Sequence, residues 1–180
     1  IGAAEMSTAV DGIAGVVAAS KFDIYDYQMA LAAGGGAAAL AGVSFEDFNT
    51  SVTAVSSSFA SGSDAGTSLK TMFQRLVPQS KEAASAMAEL GLEFFNADGS
   101  MKDMADIAGE LNGAFAGLSE EQRINYMSTI FGTDAMRAAA AMAGYTTEEF
   151  AALQAQIGKT DAMQAAAMRM DNLTGDWEVF

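Results

Sequence analysis

The sequence predicts a mainly α-helical protein. It reads as a compact cluster of short helices with one small β-hairpin at about Leu92 to Lys102, flanked by Ala/Gly-rich and amphipathic helices. Three observations lead there. Apolar residues recur at steps of three and four along most of the chain, the period of a helix that buries one face. Hydroxyl residues stand three places ahead of an acid or Gln just before several of those stripes, which is the spacing of a capping box. Pro occurs once, at Pro78, so glycine does most of the interrupting.

The first 42 residues are Ala- and Gly-rich, with few large apolar groups. Gly34-Gly35-Gly36 falls inside a helical pattern, where each Gly costs about 1 kcal/mol against Ala. Either the helix bends there or another backbone comes close. The uncharged run from Met29 to Phe45 is just short of a membrane span, and its small side chains read as tight helix packing. Ser44 and Asp47 then open a helix with Phe45, Phe48, Val52, Val55 and Phe59 on one face. Leu69, Met72, Phe73 and Leu76 form the next stripe, stopped before Pro78. Another helix begins near Ser80 and runs to Gly91.

The stretch FFNADGSMKD, from Phe94 to Asp103, allows two readings. With Gly99 at the sixth place of an EF-hand loop, Asp98 and Asn96 fit as ligands. The first and twelfth places are then Phe94 and Ala105, which cannot ligate, so calcium is rejected. Asp98-Gly99 is instead a strong turn dipeptide, hence the expected hairpin. A lone hairpin is marginal in water, so it must pack on the helices.

Helical stripes resume at Met104, Ile107, Leu111 and Phe115. Ser119 and Gln122 cap the stripe Ile124, Met127 and Phe131, and Thr146 and Glu149 cap Phe150, Leu153 and Ile157. Gly42, Gly91, Gly132 and Gly158 each follow an apolar run, where a left-handed residue can close a helix. Thr160 to Trp177 carries Met163, Ala166, Met170, Leu173 and Trp177 at heptad-like steps. The organisation expected is a helical flank over 1–42, a core domain with the hairpin over 43–158, and an amphipathic helix over 159–180. The last leads into further chain, since the sequence starts at Ile1 and reads as a piece of a longer protein. Met163, Met170, Leu173 and Trp177 are the candidate interface.

The chemistry is sparse. The chain has no Cys and no His, which removes thiol chemistry, most zinc sites and the commonest general base. Nine basic residues are scattered singly against 23 acidic ones, a net charge of −14. That disfavours nucleic-acid binding, which needs clustered cations. The paired acids Asp23/Asp26, Glu46/Asp47, Glu120/Glu121 and Glu148/Glu149 resemble a glycosidase pair only in number. Most fall in first turns of helices, where they complement the helix dipole. No Ser-His pair, nucleophile elbow or phosphate-loop Lys occurs. No catalytic, cofactor-binding or metal-ligating residues are assigned, and no cofactor is expected.

One resemblance covers most of the chain. An AGTSL segment opens a helix that ends in RL before a Pro. A KEAA helix leads to ELGLEFFNADGSMKD, an acidic helix ends in GLSEEQR, and IFGTDAMRAAAAM follows. In this order, residues 62 to 142 resemble the conserved core domain of phage tail tape measure proteins. GVSFEDFNTSVTAV and MRMDNLTGDW extend the likeness to roughly residues 25 to 177.

The resemblance implies a helical, non-enzymatic virion protein in the lumen of the tail tube or at the tail tip of a phage or related particle. It implies roles in setting tail length, in tail assembly within the host cytoplasm and in release on DNA ejection. The implied partners are copies of itself, as a trimer, tail tube and tip proteins, and tail assembly chaperones, with transient contact to the host membrane. Two rival readings stand beside it. One is a membrane-active module built on Ile13 to Ala19 and Met29 to Phe45. The other is a wall-hydrolase-associated domain using paired carboxylates.

Overall fold

A computed structural model describes residues 3–160 and 162. These form α1 (Ala3–Ala19), α2 (Ile24–Ala41), α3 (Phe45–Val55), α4 (Gly62–Arg75), α5 (Lys81–Leu90), α6 (Met104–Ala116), α7 (Glu120–Met142) and α8 (Thr147–Gly158). A short 3-10 turn, Ser56–Ser58, follows α3. Helix is the dominant structure, as the stripes require.

The starts of the helices follow their caps. Ser119 with Gln122 and Thr146 with Glu149 form reciprocal capping boxes on α7 and α8. Ser44 caps α3 in one direction only. Its hydroxyl accepts from the Asp47 amide at 3.0 Å, while the Asp47 carboxylate accepts from Gln154 Nε2 of α8 at 3.2 Å. The side chain that would close the box is thus spent on a tertiary contact.

Two of the four expected glycine stops are left-handed caps. At Gly42 (φ 86°) and Gly91 (φ 69°) the next amide reaches back to the helix, Val43 to Ala38 O and Leu92 to Met87 O, both at 2.9 Å. Gly158 is different: it is the last helical residue of α8, and Lys159 is the cap. Gly132 breaks α7 from within. Its φ of 69° and ψ of 175° suit glycine alone, and the chain is helical on both sides.

The centre of the fold is α3. Asp47 through Val55 are all buried, although the apolar stripe covers one face only. The polar side can enter the core because it satisfies itself. Thr50, Ser51 and Thr53 donate to the carbonyls of Glu46, Asp47 and Asn49, four residues back, at 2.7–2.9 Å. Asn49 Oδ1 accepts from buried Tyr27 OH at 2.7 Å. Around this hub Leu69, Met72, Phe73, Leu76, Met104, Ile107, Leu111, Phe115, Met127, Phe131, Phe150 and Ile157 are buried. Two stripe residues stay outside: Phe45 is 41% exposed and Ile124 60%.

α2 packs most extensively against α4, through backbone rather than large side chains. A Cβ on Gly62 would overlap the Asp26 carbonyl, and one on Gly66 the Ala30 carbonyl. Gly34 in turn faces Gly66 O, 2.8 Å from where its own Cβ would sit. The pairs 26–62 and 30–66 advance together, so the two helices run parallel. Gly34 is therefore a point of close backbone approach, while Gly36 beside it faces open space.

The expected hairpin is corrected. No strand occurs among the described residues; Phe95 and Met101 form a single antiparallel bridge. The turn itself forms as expected. Gly99, at φ 84°, donates to Asn96 O at 2.9 Å, and Ser100 N and Oγ both donate to Asp98 Oδ1. The ladder cannot grow because its ends are already engaged. Leu92 closes α5, Glu93 N donates to the Glu110 carboxylate at 3.1 Å, and Asp103 is already the N-cap residue of α6. Leu92 and Phe94 are drawn into the core instead.

Candidate functional site

The acidic pairs lie where helices begin. Glu46 and Asp47 are in the first turn of α3, Glu120 and Glu121 in that of α7, and Glu148 and Glu149 in that of α8. Asp23 caps α2. Asp26 reaches across the seam and accepts from Gly62 N at 2.8 Å, which caps α4 from another helix. Each of these positions suits a carboxylate because the amides there lack partners within the helix.

The shifted titrating groups trace to burial or to a hydrogen-bonded partner. Burial raises Asp47 above its ordinary value, against the bonds from Ser44 and Gln154, and Asp103 adds repulsion. Burial pushes Tyr27 up to about 12. Asp98 is lowered by its bonds from Ser100. Lys102 is raised by its ion pair with Glu110, and Tyr126 by its bond to Glu89. Among the described residues no group of three or more His, Cys, Asp or Glu could hold a metal ion. Likewise no described helix is long and apolar enough to cross a membrane.

The break in α7 is held from three sides. The Arg75 guanidinium lies 3.3 Å from where a Cβ on Gly132 would sit. Ser68 Oγ donates to Asp134 O at 2.6 Å, and the Arg137 guanidinium sits 4.1 Å over the Phe59 ring. The FGTDAMR motif is thus a joint between α4, α7 and the turn after α3. The cation–π contact adds about 0.5–2 kcal/mol to such a joint.

A groove of about 1200 Å³ opens between α1, α3 and α8, lined among others by Ala9, Gly12, Phe45, Ala151, Ala155 and Ile157. It explains the exposure of Phe45, which stands at the groove beside Gly12. At its edge the two ends of the described chain meet. Gly15 lies so close to Ile157 that a Cβ would overlap the Ile157 carbonyl, and Ala162 N donates to Asp11 Oδ1 at 3.0 Å.

The candidate interface residues Met163, Met170, Leu173 and Trp177 lie outside the described residues. The described surface has its own exposed apolar groups: Met6 and Val10 on α1, and Ile24, Tyr25 and Leu40 on α2. The sequence reading did not single out Gly62 and Gly66, although a G-x-x-x-G spacing marks them. Nor did it pick out Gly109, where a Cβ would overlap the Thr147 hydroxyl of α8.

The arrangement defines a helical packing domain, with its acidic pairs at helix starts and several of its closest contacts made by glycine against backbone. Residues 1–132 match the family described as Phage-related minor tail protein, and the chain belongs to that family. It is 30% identical over 101 residues to the tape measure protein of Pneumococcus phage Dp-1, covering 56% of this chain and 9% of the relative. It is 34% identical over 104 residues to the probable tape measure protein of Escherichia phage P2, covering 57% and 13%. The chain thus spans about a tenth of the length of these curated relatives. No solved structure matches it.

Proposed function

We propose that the chain is a segment of a tail tape measure protein, lying in the lumen of the tail tube. There it helps set tail length, organises tube assembly and leaves as DNA is ejected. The observation that carries this reading is the ordered run of motifs from AGTSL to IFGTDAMRAAAAM, together with the identity to two tape measure relatives. The packing supports a structural role, since the paired acids sit at helix starts, Asp23, Asp26 and Glu149 among them as caps, and close contacts link α2 to α4 and α6 to α8. A net charge of −14 keeps the surface from holding DNA that shares the tube.

In this reading 1–42 flanks a core domain over 43–158, and 159–180 leads to the rest of the chain. Met163, Met170, Leu173 and Trp177 associate with other copies in a trimer, or with tail tip proteins. The test is an in-frame deletion of these residues in the parent protein, with tails imaged by electron microscopy. Absent tails or tails of altered length are expected. Normal tails at normal yield refute the reading. The interface is tested separately by Met170→Asp with Leu173→Asp. Loss of oligomers by light scattering with unchanged helicity is expected, and retained oligomers exclude that face.

A further inference from the structure

The two ends of the domain leave it side by side. Gly15 meets Ile157, and four residues earlier Asp11 meets Ala162, five residues later. The contacts step backwards along α1 as they step forwards along the end of the chain, so the two segments run antiparallel. The Asp11–Ala162 bond joins residues 151 apart in sequence. It also lies beyond the end of α8, so the pairing outlasts that helix.

We propose that the N-terminal half of α1 is the docking surface for the chain's own next segment, residues 163–172. The domain is then a closed bulb on a two-helix neck, and does not lie in series along the parent chain. The occupant is this chain because its last described residue is already bonded to the surface, and the contacts from Ile157 to Ala162 advance towards the start of α1. The surface permits close approach: Gly15 is already in backbone contact, and Ser7, Thr8 and Ala9 continue α1 with small side chains. The apolar Met6 and Val10 are exposed on the same half of α1, at 58% and 54%. This arrangement does not depend on the tape measure reading, and it is the alternative to that segment's association with other copies.

The chain has no cysteine, which makes the test clean. Two double variants of the full chain, Ser7→Cys with Ala166→Cys and Ala4→Cys with Arg169→Cys, are treated with a bismaleimide of about 10 Å reach. That matches the spacing of neighbouring helices. Intramolecular cross-links at both pairs, read by mass spectrometry, are expected. If the segment runs the other way, the second pair is about 23 Å apart, from a rise of 1.5 Å per residue. Failure of the second pair to cross-link while circular dichroism stays unchanged overturns the proposal. So do cross-links found only between chains, which assign the surface to a second copy. Asp11→Ala should slow both intramolecular reactions several-fold, and unchanged rates also count against the neck.

Discussion

The seam between α2 and α4 and the packing around α6 and α7 bury their surfaces in opposite ways. The seam uses Ala30, Gly34, Gly62 and Gly66, with carbonyls in place of side chains at the contact. The other region uses Ile107, Leu111, Phe115, Met127, Ile130 and Phe131, each buried and large. The first is close because nothing projects; the second is stable because much apolar area leaves water. A seam of backbones has no flexible part that can yield. A packed aromatic core can relax around a missing ring.

That contrast orders the expected effects of substitution. Gly62→Leu should have the largest, because its side chain meets the Asp26 backbone and the helices must separate. Loss of the cooperative thermal transition is expected by circular dichroism. Retention of a wild-type melting temperature would show that the seam can open freely. Phe131→Ala should cost about 3–5 kcal/mol in chemical denaturation, the range for a deleted core ring. A cost under about 1 kcal/mol would show that the joint near Gly132 closes over the gap.

Smaller effects sharpen the comparison. Gly36→Ala sits two residues on from Gly34, on the side of α2 away from the seam with open space around it, so it should stabilise by about 0.5–1 kcal/mol through helix propensity. If it destabilises, α2 is not free on that side. Asp47→Asn should raise the melting temperature slightly at pH 7. The folded-state value of Asp47 is raised, so its ionised form weakens the fold. Wild-type stability from this group is full below the ordinary 3.8 and declines as pH rises through the folded value. The gain from Asn should therefore vanish near pH 3. A gain that persists there would trace to something other than charge.

The same contrast explains what the sequence revealed. Large stripes are legible because their period is set by the helix that carries them, and Met104, Ile107, Leu111 and Phe115 are all buried as expected. Caps are legible because they act within four residues. The partner of a glycine is not, since Gly34 and Gly36 look alike until α4 arrives against one of them. The joint at Gly132 reads in sequence only as a stop, because Arg75 and Ser68, which hold it, are more than fifty positions away. Ile124 and Phe45 carry the right spacing but lie at the edge of their helices, where the core ends. The turn at Asp98-Gly99 followed from local chemistry. Its failure to extend depended on Glu110, from the next helix.

The meeting of Asp11 with Ala162 has a mechanical consequence. A load applied to the two ends of the described chain acts at one edge of the domain. Contacts there are loaded one after another, starting with Asp11–Ala162 and passing to Gly15–Ile157. The domain unzips from this edge, and the parallel seam of α2 and α4 is not sheared along its length. Unzipping proceeds at lower force than shear because no two contacts resist together. A chain drawn through a narrow passage by its ends would open this domain from the Asp11–Ala162 edge inward, with α3 among the last elements released.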